Sequence, residues 1–428
     1  MQTPAEAMSA LIARLYPICR SITGDGVRET LAILREQIPL EIQEVPSGTK
    51  VFDWTVPREW NIRDAWIKNA AGERLIDFNK LNLHVVSYSV PVNRRMRLPE
   101  LKDHLFTVAG HPDWVPYRTS YYNESWGFCL SEHQLAKLNE LEEYDVCIDS
   151  SLAHGHLTYG EYLLEGETAK EFLFSCHICH PSLADDNLSG IALAVAIARH
   201  LAAAPRRYSY RFVFVPGSIG AITWLARNEE RLGRIRHGLV LTCVGGAAGI
   251  TYKRSRQGDT EIDRAFTHVL QHSGEPHHVA AFSPYGYDER QYCSPGINLP
   301  VGCMMRSVHG TFPEYHTSAD NPKFVRGEAL TNSLEKCLEV VDLIEHNRVY
   351  LNNSQKGEPQ LGKRGLYKGL NAGGNQRGQE LALLWVLNLS DGNHPLLDIA
   401  ERANLPFDAI KSAADALAGT DLLSVVAS

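Results

Sequence analysis

Along this chain the period of hydrophobic and polar positions changes several times, and each change marks a candidate unit. Between residues 4 and 39, Met8, Leu11, Ile12 and Leu15, then Val27, Leu31, Leu34 and Ile38, recur at helical spacing and predict two amphipathic helices that cover a sheet face. From 51 to about 163 the spacing shortens. Alternating runs such as 83–90 are broken by Pro, Gly and Asn, and the aromatics Phe52, Trp54, Trp60 and Trp66 are closely spaced. This pattern predicts a β-rich module with short helices near 98–105 and 131–141. Within it, Trp114, Tyr117, Tyr121, Tyr122 and Trp126 either fill a core or line a recognition groove.

From 172 to about 350, apolar runs alternate with helical patterns. Residues 172–174, 211–215 and 238–244 read as strands, and 188–201, 219–231, 261–272 and 326–346 read as helices, which together give a sheet flanked by helices. Residues 351–376, rich in Gly, Asn, Lys and Gln, read as a linker. After it come short helices at 381–389, 396–403 and 406–417 and a β-like 422–426, the spacing of a winged helix-turn-helix. The expected organisation is an α/β domain from 1–50 and 164–350, an inserted β-rich domain at 51–163, the linker, and a winged-helix-like domain at 377–428.

Composition narrows the function classes. A chain of 428 residues, 44% hydrophobic and 21% charged, can bury sizeable cores. Its net charge of -8 argues against broad binding to nucleic acid or anionic membranes, because phosphate contacts need concentrated positive surface. The third winged-helix segment carries Asp408 and Asp415 against Lys411, so packing or assembly is expected of it, and no nucleic-acid partner. No apolar run reaches the roughly 20 residues that span a bilayer, and the amino terminus has neither a basic head nor a sustained apolar core. The expectation is a soluble, cytoplasmic protein without a membrane partner. Nine cysteines scattered from Cys19 to Cys337 read as buried thiols, and the Cys176/Cys179 pair lacks the second pair of a structural zinc site.

The candidate chemistry lies in FLFSCHICHPSLADDNLSG, residues 172–190, where His177, His180, Asp185 and Asp186 fall between a buried strand and a helix. Loops at the carboxyl ends of strands are where open α/β sheets place ligands, and imidazole with carboxylate suits zinc. The plainer alternative is that Asp185, Asp186, Asn187 or Ser189 caps the helix while the histidines make ordinary loop hydrogen bonds. Further along, YGYDERQYCSPG brings Asp288, Glu289 and Arg290, and RSVHGTFPEYHTSADN brings His309, Glu314, Tyr315 and His316. Taken alone, a charged triplet beside a Pro-Gly loop is also what a surface turn looks like.

Together HPSLADDNLSG, DERQYCSPG and PEYHTSADN, with SGTKVFDWTVPREWNI, TSYYNESWGFC and LTYGEYL, resemble the zinc-aminopeptidase superfamily. The resemblance is to its bacterial aminopeptidase-like branch, with a small inserted β domain and an appended winged helix. It implies an α/β fold, a three-layer zinc-peptidase-like sandwich, whose loops hold one or two metals. It places Asp186 at the bridging carboxylate, His316 at the late histidine ligand, and His180 or His177 at the earlier imidazole. His180 matches the CHPS of this branch, whereas His177 matches an older H-x-D pattern in which Cys179 replaces the aspartate. Two positions depart from the pattern. The general-base glutamate of a Pro-Glu-Thr-Ile-Gly motif is Gly217 here, and the second-metal aspartate of Cys-Val-Gly-Asp is Gly246.

What the resemblance then implies is one zinc ion, or another divalent transition metal, on His180, Asp186 and His316, with His177 as the alternative imidazole. Glu314 or Glu289 would act as stand-in base, Glu314 equally as a support for a ligand histidine. Arg290 would steady an anionic group, with Asp288 and Tyr315 as substrate contacts. The expected function is amide-bond hydrolysis on a small-molecule, short peptide-like or aminoacyl-type substrate. A repurposed biosynthetic enzyme for transfer or elimination, and a non-catalytic binding or scaffold protein, stand as alternatives, and a homo-oligomer is compatible with each. Surface-polysaccharide or natural-product gene sets are the context the resemblance implies.

Overall fold

In a computed structural model the chain is described over residues 2–366 and 375–426. Its largest feature is an eight-stranded mixed sheet. The strands run in the order Glu41–Pro46, His156–Leu164, Ser209–Val215, Glu171–His177, Ile235–Leu241, Val301–Met305, Ile250–Lys253 and His277–Ala280. The four from Ser209–Val215 to Val301–Met305 are mutually parallel, and the neighbours that flank them on each side are antiparallel. Glu171–His177 and Ser209–Val215 are buried at every position, as mainly apolar strands covered on both faces must be, with Arg211 and Glu171 paired inside.

Helices follow the parallel strands. Gly190–Ala202 leaves the end of Glu171–His177 through an irregular turn, Ala184–Ser189, in which Asp186 and Asn187 depart from helical angles. Ile219–Arg227 follows Ser209–Val215, shorter than its apolar pattern predicts because the chain tightens into a 3-10 turn at Glu229–Arg234. Pro4–Leu15 starts with a reciprocal capping pair, Thr3 and Glu6, and Asp25–Arg35 follows it.

A separate four-stranded antiparallel sheet, Arg74–Asp77, Glu59–Lys68, Glu143–Ala153 and Val92–Arg97, has its own core of Ala65, Ile67, Ile76, Val146 and Ile148. Residues 83–90 are not the strand their alternation predicts. Asn82–His84 is a single 3-10 turn, Tyr88 is left-handed at φ 70°, and backbone donors are met one by one, Val86 N–H by Gly127 O at 3.0 Å and Ser87 N–H by Arg118 O at 2.9 Å. Burial is reached there without a ladder. The strand His156–Leu164, counted above with the β module, pairs into the large sheet instead.

The chain divides into two compact units, one running to Gly258 and including His278–Leu334, the other formed by Asp259–His277 and everything from Glu335 onward. In the second, helices Asn375–Leu389, Leu396–Ala403 and Phe407–Ala418 accompany a three-stranded sheet. Val349–Asn352 is the central strand of that sheet, between Asp391–Pro395 and Leu423–Val425, so these residues are neither α/β domain nor linker as the sequence pattern had them. Residues 367–374 of the expected linker lie outside the described residues. All nine cysteines are free thiols, and no described helix is long and apolar enough to cross a membrane.

Candidate metal centre

The loops that leave the carboxyl ends of the parallel strands carry the candidate residues, as open α/β sheets lead one to expect. His177 ends the strand Glu171–His177, and His180 and Asp186 lie in the loop and turn beyond it. Gly217 follows Ser209–Val215, Gly246 follows Ile235–Leu241, and His316 lies in the segment after Val301–Met305.

Asp186 is the centre. Its Oδ1 lies 2.7 Å from His177 Nε2, and its Oδ2 lies 3.3 Å from His180 Nδ1 and 3.0 Å from His316 Nε2. Donor atoms of His177, His180 and Asp186 all fall within 4.8 Å of one another. Burial alone would push the Asp186 carboxyl up, but the three imidazoles outweigh it and hold the group well below the usual carboxylate range. His316 is pushed below its ordinary value by burial, against the pull of Asp186.

Four supports set this arrangement. Asp320 accepts from Asp185 N–H at 2.6 Å and Asp186 N–H at 3.0 Å, which pins the irregular turn. Asn187 accepts from Gly190 N–H at 3.2 Å and donates to Leu241 O at 3.0 Å, so it serves the helix start and leaves Asp186 to the imidazoles. Arg20, fully buried, donates to His180 O at 3.0 Å. Tyr117 N–H donates to His316 O at 2.7 Å and holds that residue in a left-handed conformation, φ 55°. The Tyr117 ring meets His180 and His316 edge-on with centroids 5.1 Å away, Tyr315 stacks on His316 at 3.9 Å, and Tyr287 stacks on His177 at 5.2 Å.

The remaining candidates separate. Glu289 is fully buried, with Lys253 Nζ 2.7 Å from Oε1, so an ammonium already neutralises it and the stand-in base role does not suit it. Glu314 is half-buried two residues before His316. Its carbonyl closes a turn onto Thr317, and its carboxylate makes no hydrogen bond or ion pair with Asp186 or the imidazoles. Arg290 Nη2 donates to Ser218 Oγ at 3.4 Å, while its Nε is buried without a hydrogen bond. Asp288 is buried next to Glu289, and burial first, then that neighbouring charge, raises its carboxyl to about 7. His309 packs its ring against Tyr285 and Tyr287.

The two glycine replacements leave little space above them. A Cβ at Gly217 would lie 3.1 Å from His177 Cβ and 3.4 Å from each Asp288 carboxylate oxygen. At Gly246 it would strike Ser307 Oγ and sit 3.3 Å from Asp185 Oδ2. Neither position has room for the acidic side chain of the family pattern unless its neighbours move.

Tyr287, Asp320 and Arg20 escaped the sequence reading, and Tyr117 entered it only as a core or groove aromatic. Tyr287 and Asp320 stand inside motifs quoted for other residues, and only the pairing of 115–117 with 316–318 brings Tyr117 to the centre. The other aromatics of that stretch divide: Trp114 stacks on His111 and Trp126 on His104, away from the imidazoles.

This sheet, with histidines and a carboxylate at its parallel-strand ends and a winged helix at the carboxyl terminus, defines an aminopeptidase-like α/β protein. A zinc aminopeptidase from Bacillus subtilis shares the fold, with a TM-score of 0.56 at 13% identity over 79% of this chain and 94% of that one. More particularly, residues 9–347 match the family described as "Domain of unknown function (DUF4910)", and the chain belongs to it. Residues 348–425 match a winged helix-turn-helix family. A Clostridium acetobutylicum protein, provisionally named a polysaccharide biosynthesis protein with aminopeptidase-like domain, is 54% identical over 97% of this chain and 95% of its own length. The crystal structure of a protein from Clostridium acetobutylicum, provisionally named a peptidase, superposes with a TM-score of 0.94 at 53% identity, covering 99% of this chain and 96% of that one.

Proposed function

We propose that this chain is a single-metal hydrolase of amide bonds in small peptide-like or aminoacyl-type molecules. One observation carries the reading. Asp186 Oδ2 and His316 Nε2 are both buried and face each other at 3.0 Å, with His180 Nδ1 3.3 Å from the same oxygen, yet neither Oδ2 nor His316 Nε2 makes a well-aligned hydrogen bond. Two lone-pair donors turned toward one point, beside His180 and His177, fit a divalent cation. The donor set of imidazoles and one carboxylate suits zinc and would also take iron or manganese. When bound, such an ion supplies Lewis acidity toward a carbonyl and toward water.

The protein supplies the rest. Tyr117, Tyr287 and Tyr315 wall the imidazoles, keep their rings oriented and limit water. Arg290, which makes no ion pair among the described residues, is the group for a substrate carboxylate or other anion. A second reading, a biosynthetic transfer or elimination enzyme, is favoured by the name of the 54% identical relative.

The test is metal analysis followed by activity. Full-length protein loaded with zinc and desalted is expected to keep about one ion per chain. His316→Ala is expected to lose at least about tenfold in metal affinity and to abolish hydrolysis of chromogenic aminoacyl anilides. A chain that retains no zinc, iron or manganese overturns both enzymatic readings. Retained metal with no amidase activity leaves the biosynthetic one.

A further inference from the structure

Resting on the hydrolase reading, the geometry points to Asp288 as the proton acceptor of this site. We infer this from what each nearby carboxylate is already doing. Asp186 is engaged by imidazoles, and Asp320 holds two backbone N–H groups. Asp185 Oδ1 accepts from Gly245 N–H at 2.7 Å, and its other oxygen lies against Gly246, under the neighbouring loop. Glu289 has its ammonium, and Glu314 has no polar contact with the centre.

Asp288 differs from all of these. It is 2% exposed and, like Asp185, Asp186 and Glu289, has one buried oxygen without a hydrogen bond, but no backbone N–H, imidazole or lysine holds it: its polar neighbours are Ser218, Arg290 and Glu289. Only a gap the width of a methyl group, the space above Gly217, separates its carboxylate from the His177 side chain. Gly217 and Ser218 are half-buried. A Cβ at 217 would meet both Asp288 carboxylate oxygens at 3.4 Å, an ordinary contact, and press on His177 Cβ at 3.1 Å. The carboxylate thus arrives from the DER segment at a place where the preceding loop offers no acid of its own. Arg290 and the Ser218 hydroxyl favour its charged form, against burial and the charge of Glu289.

The role follows in two proton movements. As water adds to the amide carbonyl carbon, Asp288 takes one proton from it. As the carbon–nitrogen bond breaks, that proton passes to the leaving amine, so a carboxylic acid and an amine are released and Asp288 returns to its starting charge. A carboxyl that is protonated about as easily as water solutions near neutrality demand is suited to both movements.

The experiment uses the full zinc-loaded chain with an aminoacyl anilide as substrate and an aminoacyl hydroxamate as probe. Asp288→Asn is expected to keep its zinc and to lower kcat by about a hundred- to ten-thousandfold. Asp288→Glu, which keeps the carboxylate, is expected to retain at least about tenfold more kcat than Asp288→Asn, which a merely structural role for Asp288 would not produce. Calorimetry in buffers of different ionisation enthalpy gives a readout free of turnover. The hydroxamate binds as its anion, and the wild-type chain is expected to keep the displaced proton, whereas Asp288→Asn releases about one proton more to the buffer. Asp288→Ser gives the same comparison should the amide pack badly. If the wild-type chain hydrolyses the anilide and Asp288→Asn matches it in kcat and proton release, this inference falls and the hydrolase reading stands. If the zinc-replete wild type neither turns over the anilide nor binds the hydroxamate, both fall.

Discussion

His237 shows how one buried titratable side chain sets the acid behaviour of the fold. It sits in the strand Ile235–Leu241, 2% exposed, its ring 5.8 Å from Phe172 and 5.0 Å from Tyr208. Burial first, then the charges of Arg207, Arg236 and Lys170, lowers its pKa to about 3. The unfolded chain therefore binds a proton near the ordinary histidine value while the folded chain refuses it, so stability is complete above that value and is lost as pH falls toward 3. The expected slope is about 1.4 kcal/mol per pH unit from this one residue. Urea unfolding between pH 6.5 and 4.5 checks it: His237→Phe is expected to lose stability less steeply than wild type, and parallel slopes would refute the assignment. At the same scale, Asp186 and His316, with His180 and His177 as alternative imidazoles in the sequence, lie side by side in the structure. The sequence reading assigned the base role to Glu289 and a substrate contact to Asp288, because adjacent acids look alike in the text and only their surroundings, an ammonium beside Glu289 and none beside Asp288, tell them apart.

Between elements, charge is used to fix register. Arg211 on the strand Ser209–Val215 reaches Glu171 on one neighbour at 2.6 Å and Glu161 on the other at 3.1 Å, so three adjacent strands share one guanidinium inside a core. Arg211→Met would leave Glu171 buried and unpaired, a loss expected to be about 3–5 kcal/mol. Adding Glu171→Met to Arg211→Met is expected to recover most of it, as chemical denaturation of the two variants would show. The element pattern was legible where apolar runs are continuous or strictly helical, as in Glu261–His272, whose limits match the pattern residue for residue. It failed over 83–90, where alternation reflects contacts made singly to the segments around Arg118, Ser125 and Gly127.

For the molecule as a whole, the winged-helix region poses the question of partners. Its helix Phe407–Ala418 carries two aspartates, and Lys411 Nζ is 3.3 Å from Asp342 Oδ2. A helix with its one lysine turned to an aspartate has little to offer phosphates. Fluorescence anisotropy with duplex DNA in roughly 0.15 M salt is expected to show no saturable binding below about 100 μM, and tighter binding would reverse this expectation. Of the small sheet around Val349–Asn352 the sequence showed only the β-like 422–426, because the strands are short and their partners lie about 40 to 75 residues away in the chain.

What the sequence determined by itself is the class of fold and the residue types of the centre, since apolar period dictates which segments bury and imidazole and carboxylate dictate which ligands suit them. What only the tertiary structure decided is which of those groups remain free to act. Asn187 takes the helix start, Lys253 takes Glu289, and Tyr117 arrives from the β-rich segment to hold His316. Each of these contacts depends on loops from distant positions meeting at the ends of parallel strands. A linear pattern records spacing along the chain and not distance through space, so it could list the candidates but not assign their partners.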